Sequence, residues 1–231
     1  LKIIAIPDIH QSEHWKKTIK LINSYDKIVF LGDIFDTWTN QWPKQMGNAK
    51  EIIKFKRSNP EKVCLCWANH DTSYYLDERC SGYQPTHAID IKEFFDENKN
   101  VFDVCFIFDS YIFSHGGVSY KWMRSAGIKE PQEINQLFKE RPNFFRWVGP
   151  DGYGNNLNEG PLWIRPGALI RTAIKGYNQV VGHTESDDNP RERLSDNKDS
   201  LIFIDTGKHD KIIELDTETK KWGLLLDPKK S

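Results

Sequence analysis

Short apolar runs separated by polar, turn-forming stretches set the frame of this chain. Lys2–Pro7, Lys27–Leu31 and Val63–Trp67 read as strands, rich in β-branched and aromatic residues. Between them lie two segments with helical spacing. The first runs from about Ser12 to Asn23, where Ser12 supplies a cap and Ile19, Leu21 and Ile22 an apolar stripe; the second is Gly47–Arg57. That alternation predicts right-handed β-α-β units and a mostly parallel sheet. A helix from Asp90 through Asn98 is followed by Val101–Phe108 and Tyr111–Phe113, joined by Asp109-Ser110 as a hairpin. Strand-like runs return at Gln179–Val181, Leu201–Asp205, Lys211–Leu215 and Lys221–Leu226. Hairpin-linked strands beside β-α-β units imply two sheets packed face to face, with helices outside.

Long polar stretches interrupt this pattern at Thr37–Lys44, Thr72–Ala88 and Arg141–Pro166. Irregular segments of such length inside a domain usually carry function. Thr72–Ala88 and Arg141–Pro166 emerge next to strands that bear candidate ligands and are expected to wall a cleft, with Thr37–Lys44 as a third candidate wall. Trp38, Trp42, Tyr74 and Tyr75 in these segments have two readings: rings that pack the loops onto the core, or, for a nucleotide substrate, rings that stack bases. The charge-rich Asp187–Asp199 segment reads as a solvated loop.

Chemistry-bearing residues follow the strands. Asp8 and His10 come after the first, Asp33 and Asp36 after the second, and Asn69, His70 and Asp71 after the third; His115 and His183 follow later strands. In a parallel sheet these ends form one rim, where ligands collect. A mixed Asp, Asn and His set without cysteine suits two divalent ions, and such a pair is best suited to hydrolysis at phosphorus.

The ordered series Asp8-Ile-His10, Gly32-Asp33-Ile-Phe-Asp36, Asn69-His70-Asp71, His115-Gly-Gly and Gly182-His183-Thr184 resembles the calcineurin-like metallophosphoesterases. Asp205-Thr-Gly207 extends the similarity, and Cys80–Pro85 and Gly160–Pro166 are similar to a bacterial and phage branch of that superfamily. The resemblance implies a four-layer α/β/β/α sandwich. It also implies two metal sites bridged by Asp33, with Asp8 and His10 on one side and Asn69, His115 and His183 on the other. His70 corresponds to the general acid, with Asp36 orienting that imidazole and favouring its protonated form. The implied activity is phosphatase hydrolysis of monoesters, on phosphoproteins or small phosphorylated metabolites, by direct attack of a metal-bridging hydroxide. Manganese is the expected ion, with iron, zinc or nickel as alternatives. Phosphodiester or dinucleoside-polyphosphate hydrolysis, on a nucleotide or nucleic-acid substrate, is the alternative chemistry, and a catalytically silent binding module is the alternative of another class.

The pattern departs from the protein-phosphatase form in three places. Gln11 follows His10 in place of glycine, Ala68 precedes Asn69 in place of glycine, and Thr37-Trp38 replaces an Arg-Gly pair that clamps phosphate. Thr184-Glu185, where many relatives carry a second histidine, instead resembles the protein-phosphatase arrangement. Arg165 is the residue expected to supply that clamp, since guanidinium geometry suits a phosphoryl group; Arg146 and Arg171 are weaker candidates. Asp71 is expected to be structural. His14 and His87 are expected to be solvated or packed, and His209 to lie near the rim.

Composition narrows the partners. A net charge of −1 and a pI near 6.7 give no global reason to expect nucleic-acid or membrane affinity. No apolar stretch reaches the roughly 20 residues of a membrane span, and the chain opens directly into a strand, so a cytoplasmic protein is expected. With 231 residues, one catalytic domain over 1–231 is the default. Cys64, Cys66 and Cys105 lack zinc-site spacing and read as buried thiols, the first two on one strand face; Cys80 reads as a packed loop residue.

Overall fold

Four parallel strands, β1 (Lys2–Ile6), β2 (Lys27–Phe30), β3 (Val63–Cys66) and β4 (Phe102–Asp103), pair in that order. The computed structural model describes residues 1–36, 42–149, 153–186, 188–206 and 210–225. Antiparallel β10 (Ile213–Asp216) and β11 (Lys221–Leu224) extend the sheet beyond β1, giving six strands. A second sheet has the order β5-β6-β7-β9-β8, built from Cys105–Phe108, Tyr111–Ser114, Asn178–Val181, Ser200–Phe203 and Arg191–Leu194. Its middle strands β6, β7 and β9 are parallel, and its two edges are antiparallel.

The period of two along each strand divides the core. Ile3, Ala5, Val29, Leu31, Cys64 and Cys66 point toward Tyr111, Phe113, Val180 and Ile202 and fill the space between the sheets. Ile4, Ile6, Ile28, Phe30 and Leu65 face the opposite way. They pack with Ile52 and Phe55 of α1 (Trp42–Ser58) and Ile91 and Phe95 of α3 (Ala88–Asn98). On the outer face of the second sheet, Val181, Leu201 and Phe203 meet Ala168 and Leu169 of α6 (Pro166–Thr172). Each Val, Leu, Ile or Phe among these contributes about 1.5–3 kcal/mol on full burial. The result is the helix, sheet, sheet, helix layering that the sequence implied.

Several expectations change in detail. The run read as one strand, Val101–Phe108, is split: β4 belongs to the first sheet and β5 to the second. Asn135 bridges the break, its Oδ1 accepting from the Val104 and Cys105 N–H groups at 2.9 and 3.0 Å and its Nδ2 donating to the Cys105 carbonyl at 2.8 Å. The first helical segment is a 3-10 helix, His14–Leu21, because its buried positions Trp15 and Thr18 are three apart, the period of that helix. Residues 72–88 are less irregular than expected. Asn69–Tyr75 forms α2, and Pro85–His87 a 3-10 turn. The charged segment at 187–199 carries the edge strand β8, whose Arg191-Glu-Arg-Leu194 sequence leaves a charged outer border. Two further helices, α4 (Tyr120–Ala126) and α5 (Ile134–Glu140), follow β6. The first is capped by the Ser119 hydroxyl and stopped by Gly127 at φ 77°. Of the proposed cleft walls, residues 37–41, with Trp38, lie outside the described residues, as do Gly207, His209 and Leu226.

Candidate metal centre and its cleft

Three parallel strands of each sheet end on one rim. Asp8 and His10 follow β1, Asp33 and Asp36 follow β2, and Asn69 and His70 follow β3; from the other sheet His115, His183 and Asp205 follow β6, β7 and β9. The chain turns sharply to deliver them. His10, Asp33, Asp36 and His183 hold φ angles of 36°, 49°, 62° and 64°, a left-handed region that costs a non-glycine residue energy and clusters at functional sites. Gly182 lets the two sheets close on each other, since a Cβ there would stand 2.2 Å from Asp8 Oδ1.

The side chains converge. Asp33 Oδ2 lies 3.5 Å from both His10 Nε2 and His115 Nε2, and His115 Nδ1 is 3.8 Å from Asp8 Oδ1. Asn69 Oδ1 lies 2.7 Å from His115 Nε2 and 3.1 Å from His183 Nδ1. Main-chain groups fix the orientation of every ring. His10 Nδ1 donates to the Phe35 and Asp36 carbonyls at 3.0 and 2.5 Å, His115 Nδ1 to Leu31 O at 2.9 Å, and His183 Nε2 to Trp163 O at 3.0 Å. Each imidazole therefore turns its other nitrogen, with a lone pair, inward, which is how metal-ligating histidines are usually held. The Asp8 carboxylate accepts the His183 N–H at 3.1 Å, and Asp33 Oδ1 accepts the His70 N–H at 3.1 Å.

Electrostatics fit a cation. Burial, and then repulsion from Asp205, pushes Asp8 well up from the usual carboxylate range; burial, and then repulsion from Asp8, does the same for Asp33. Burial holds His115 well below the usual imidazole value, with His183 adding to the effect. Burial and the nearby Arg165 guanidinium pull His183 down to about 3. Neutral imidazoles beside crowded carboxylates are a donor set that a divalent ion satisfies from both sides. Three-residue groups with donor atoms within 4.8 Å of one another include His10, Asp33 and His70, and Asp8, Asp33 and His115; both contain Asp33.

Beside this cluster, His70 Nδ1 meets Asp36 Oδ2 at 2.9 Å. Asp36 Oδ1 accepts from the Tyr74 hydroxyl and, at 3.4 Å, from Gln84 Nε2. Asp71 is fully buried and accepts the Ile34 N–H at 2.9 Å, tying α2 to the turn after β2, while burial raises its carboxyl to about 8. Cys80, expected to be a packed loop residue, brings its Sγ within 3.5 Å of His70 Nδ1.

These groups floor a cleft of about 920 Å³. Arg79, Cys80 and Ser81 line one side, and Trp147, Tyr153, Gly154, Trp163 and Arg165 another, with Glu185 at the rim. The weaker arginines lie elsewhere: Arg146 binds the Leu76 carbonyl and Asn143, and Arg171 binds Gly167 O at 3.0 Å. Trp42, Tyr74 and Tyr75 each have one face covered, by His87 at 4.1 Å, Tyr83 at 4.5 Å and Trp67 at 5.2 Å, and none of the three lines the cleft, so they do not offer rings to a base there. His14 is exposed on its 3-10 turn. Asp205 was not expected in the site, although it follows β9 as Asp8 follows β1. Trp147, Tyr153 and Arg79 were not singled out by residue, but they lie in the segments 141–166 and 72–88 that were expected to wall the cleft.

Comparison with known proteins places these features. The family model described as calcineurin-like phosphoesterase matches residues 1–213. Among solved structures, a cold-active protein-tyrosine phosphatase of a psychrophilic Shewanella species superposes with a TM-score of 0.61 at 18% identity, over 97% of this chain and 80% of that one. A protein serine/threonine phosphatase from Saccharomyces cerevisiae, with similarity to human phosphatase PP5, gives a TM-score of 0.55 at 13% identity, over 93% and 72%. A comparison with curated protein sequences finds no match.

Proposed function

Since the chain belongs to the calcineurin-like phosphoesterase family, a family of metal-dependent hydrolases of phosphoester bonds, we propose that it is a phosphatase acting on monoesters, with a centre for two divalent ions bridged by Asp33. The observation that carries this reading is the position of Asp33, common to two donor groups within 4.8 Å. Asp8, His10, Asn69, His115 and His183 complete the ligand set. Manganese is the first choice for such mixed oxygen and nitrogen donors, with iron, zinc and nickel behind it. When bound, the ions lower the pKa of water and offset phosphoryl charge.

The remaining work falls to the chain's own residues. Arg165, at the wall beside His183, orients the phosphoryl group through two N–H donors. His70 holds its Nδ1 hydrogen bond to Asp36 Oδ2, so the proton for the leaving oxygen is carried on Nε2. Asp36 fixes the tilt of that ring, because its second oxygen is held by Tyr74 and Gln84. A module that only bound phosphate would have no use for this supported acid. The whole chain acts as one catalytic unit in this reading, in the cytoplasm. No helix among the described residues is long and apolar enough to cross a membrane.

The test is a steady-state comparison on metal-stripped protein with manganese restored. The panel is p-nitrophenyl phosphate, bis-p-nitrophenyl phosphate, phosphoserine and phosphothreonine peptides, and diadenosine tetraphosphate. Preference for monoesters supports the proposal. Preference for the diester or the tetraphosphate replaces it with nucleotide chemistry, and silence throughout leaves a binding module.

A further inference from the structure

The floor of the cleft is polar, but one wall is aromatic. Trp147 and Trp163 line it with rings 6.0 Å apart and 26° from parallel. The Trp163 ring centre is 6.3 Å from that of His183, one ring's reach from the centre. Both tryptophans are half-buried, unlike the fully buried Trp15, Trp67 and Trp122.

The wall is held in place from several directions. The Glu78 carboxylate accepts the Trp147 N–H, and Glu159 Oε1 accepts the Val148 N–H at 3.2 Å. The Trp163 carbonyl is the acceptor for His183, and the Gly154 carbonyl accepts the Arg165 N–H at 2.8 Å. Gly154 has a φ of 83°, and a Cβ there would stand 2.4 Å from Trp163 O, so the chain passes where only glycine fits. A surface fixed this way costs a ligand little to organise. The same anchors tie the position of the wall to the rim residue His183 and to the proposed clamp Arg165.

We infer that the preferred substrates are phosphate monoesters whose leaving alcohol or phenol bears a planar aromatic ring, stacked on Trp147 while the phosphoryl group meets the floor and Arg165. The inference rests on the phosphatase reading and names its substrate class. In the reaction, the oxygen of water bonds to phosphorus. The bond from phosphorus to the ring-bearing oxygen breaks with its electron pair, and that oxygen takes a proton. Tyrosyl phosphate and nucleoside 5′-phosphates share the chemistry required, a flat π face carried by the leaving group. Stacking on an aromatic side chain is tolerant of which ring is presented.

Matched esters separate ring recognition from leaving-group reactivity. Benzyl phosphate is compared with cyclohexylmethyl phosphate, and adenosine 5′-monophosphate with ribose 5-phosphate, on the manganese-loaded full chain. The ring-bearing member is expected to show a kcat/KM about tenfold higher, expressed mainly in KM, the size that one stacking contact provides. The Trp147→Leu variant is expected to bring the ratio close to one, and Trp147→Phe to restore most of it. A phosphotyrosine peptide run beside the adenosine ester identifies which source the wall favours. Equal rates within both pairs in the parent protein overturn the inference while leaving the phosphatase reading intact, and need no folded variant. A ratio unchanged in Trp147→Leu also overturns it. Silence toward all esters removes the phosphatase reading and the substrate class with it.

Discussion

The Tyr74 hydroxyl donates to Asp36 Oδ1, on the carboxylate edge opposite the one that meets His70. The tyrosine is 1% exposed, stacked on Tyr83, and its oxygen in turn accepts the Gln84 N–H at 2.8 Å. Asp36 is therefore clamped between α2 and the segment after it, and any looseness in that segment is felt at the imidazole. Tyr74→Phe removes one hydrogen bond to a charged group, an interaction of about 1.5–3 kcal/mol. We expect kcat to fall about tenfold on alkyl phosphates and much less on p-nitrophenyl phosphate, whose leaving group needs little protonation, with KM and bound metal unchanged. An equal fall on both esters contradicts the positioning role.

Replacing the proposed acid itself is expected to have a larger effect of the same kind. His70→Ala is expected to lower kcat on alkyl esters by roughly 10²–10⁴, the usual contribution of a positioned acid. Metal content by elemental analysis separates this from loss of a ligand: a variant that keeps its metal and its full rate removes His70 from the mechanism.

Asp33→Asn addresses the proposed bridging role. It should lose metal and activity together, and chelation of the parent should lower its melting temperature, because an ion that binds only the folded chain stabilises it by about 2.7 kcal/mol at a hundredfold excess over Kd. An Asp33→Asn protein with a full metal complement contradicts the assignment.

Gly182→Ala tests the closeness of the two sheets. The added methyl meets the Asp8 carboxylate at 2.2 Å and must displace it or the β7 end. A loss of about 1–3 kcal/mol is expected for such overpacking, together with weaker metal binding. Denaturant titration at fixed metal checks the first and isothermal calorimetry the second.

Glu159 gives a pH signature away from the metal cluster. It is fully buried, its Oε1 accepts from Val148 and Gly160, and burial raises its carboxyl to about 7. A carboxyl with a raised folded-state pKa binds more protons folded than unfolded, so its contribution to stability falls as pH rises from about 4.5 to about 7. Glu159→Gln should flatten that decline and gain on the order of 1–2 kcal/mol above pH 8. Melting curves from pH 5 to pH 8 are the measurement, and identical slopes in parent and variant contradict the assignment.

Much of the architecture was legible because it repeats. Each apolar run followed by an acid, amide or imidazole marked a rim, but the unbroken run Ile3 to Ile6, buried on both faces, did not tell which side chains would lie between the sheets. What was not legible depended on contacts distant in sequence. Nothing local says that Val104 leaves one sheet for the other, since the break is made by Asn135. Trp147 reads like any loop aromatic until Glu78 and Glu159 fix its neighbours. Tyr74 and Tyr75 were read as able to stack bases because nothing in the sequence shows that the chain turns back to lay Tyr83 and Trp67 on them, and the same return of the chain after α2 brings Cys80 to His70.

The contact between the Asp8 carboxylate and the His183 amide spans 175 residues of chain. Three of the strands that bear the rim come early and three late, so no amino-terminal portion emerging from a ribosome can contain a half-working version of the centre. Turnover then becomes a reporter of complete assembly. In refolding experiments it should return with the slowest structural phase, after the secondary structure is already in place.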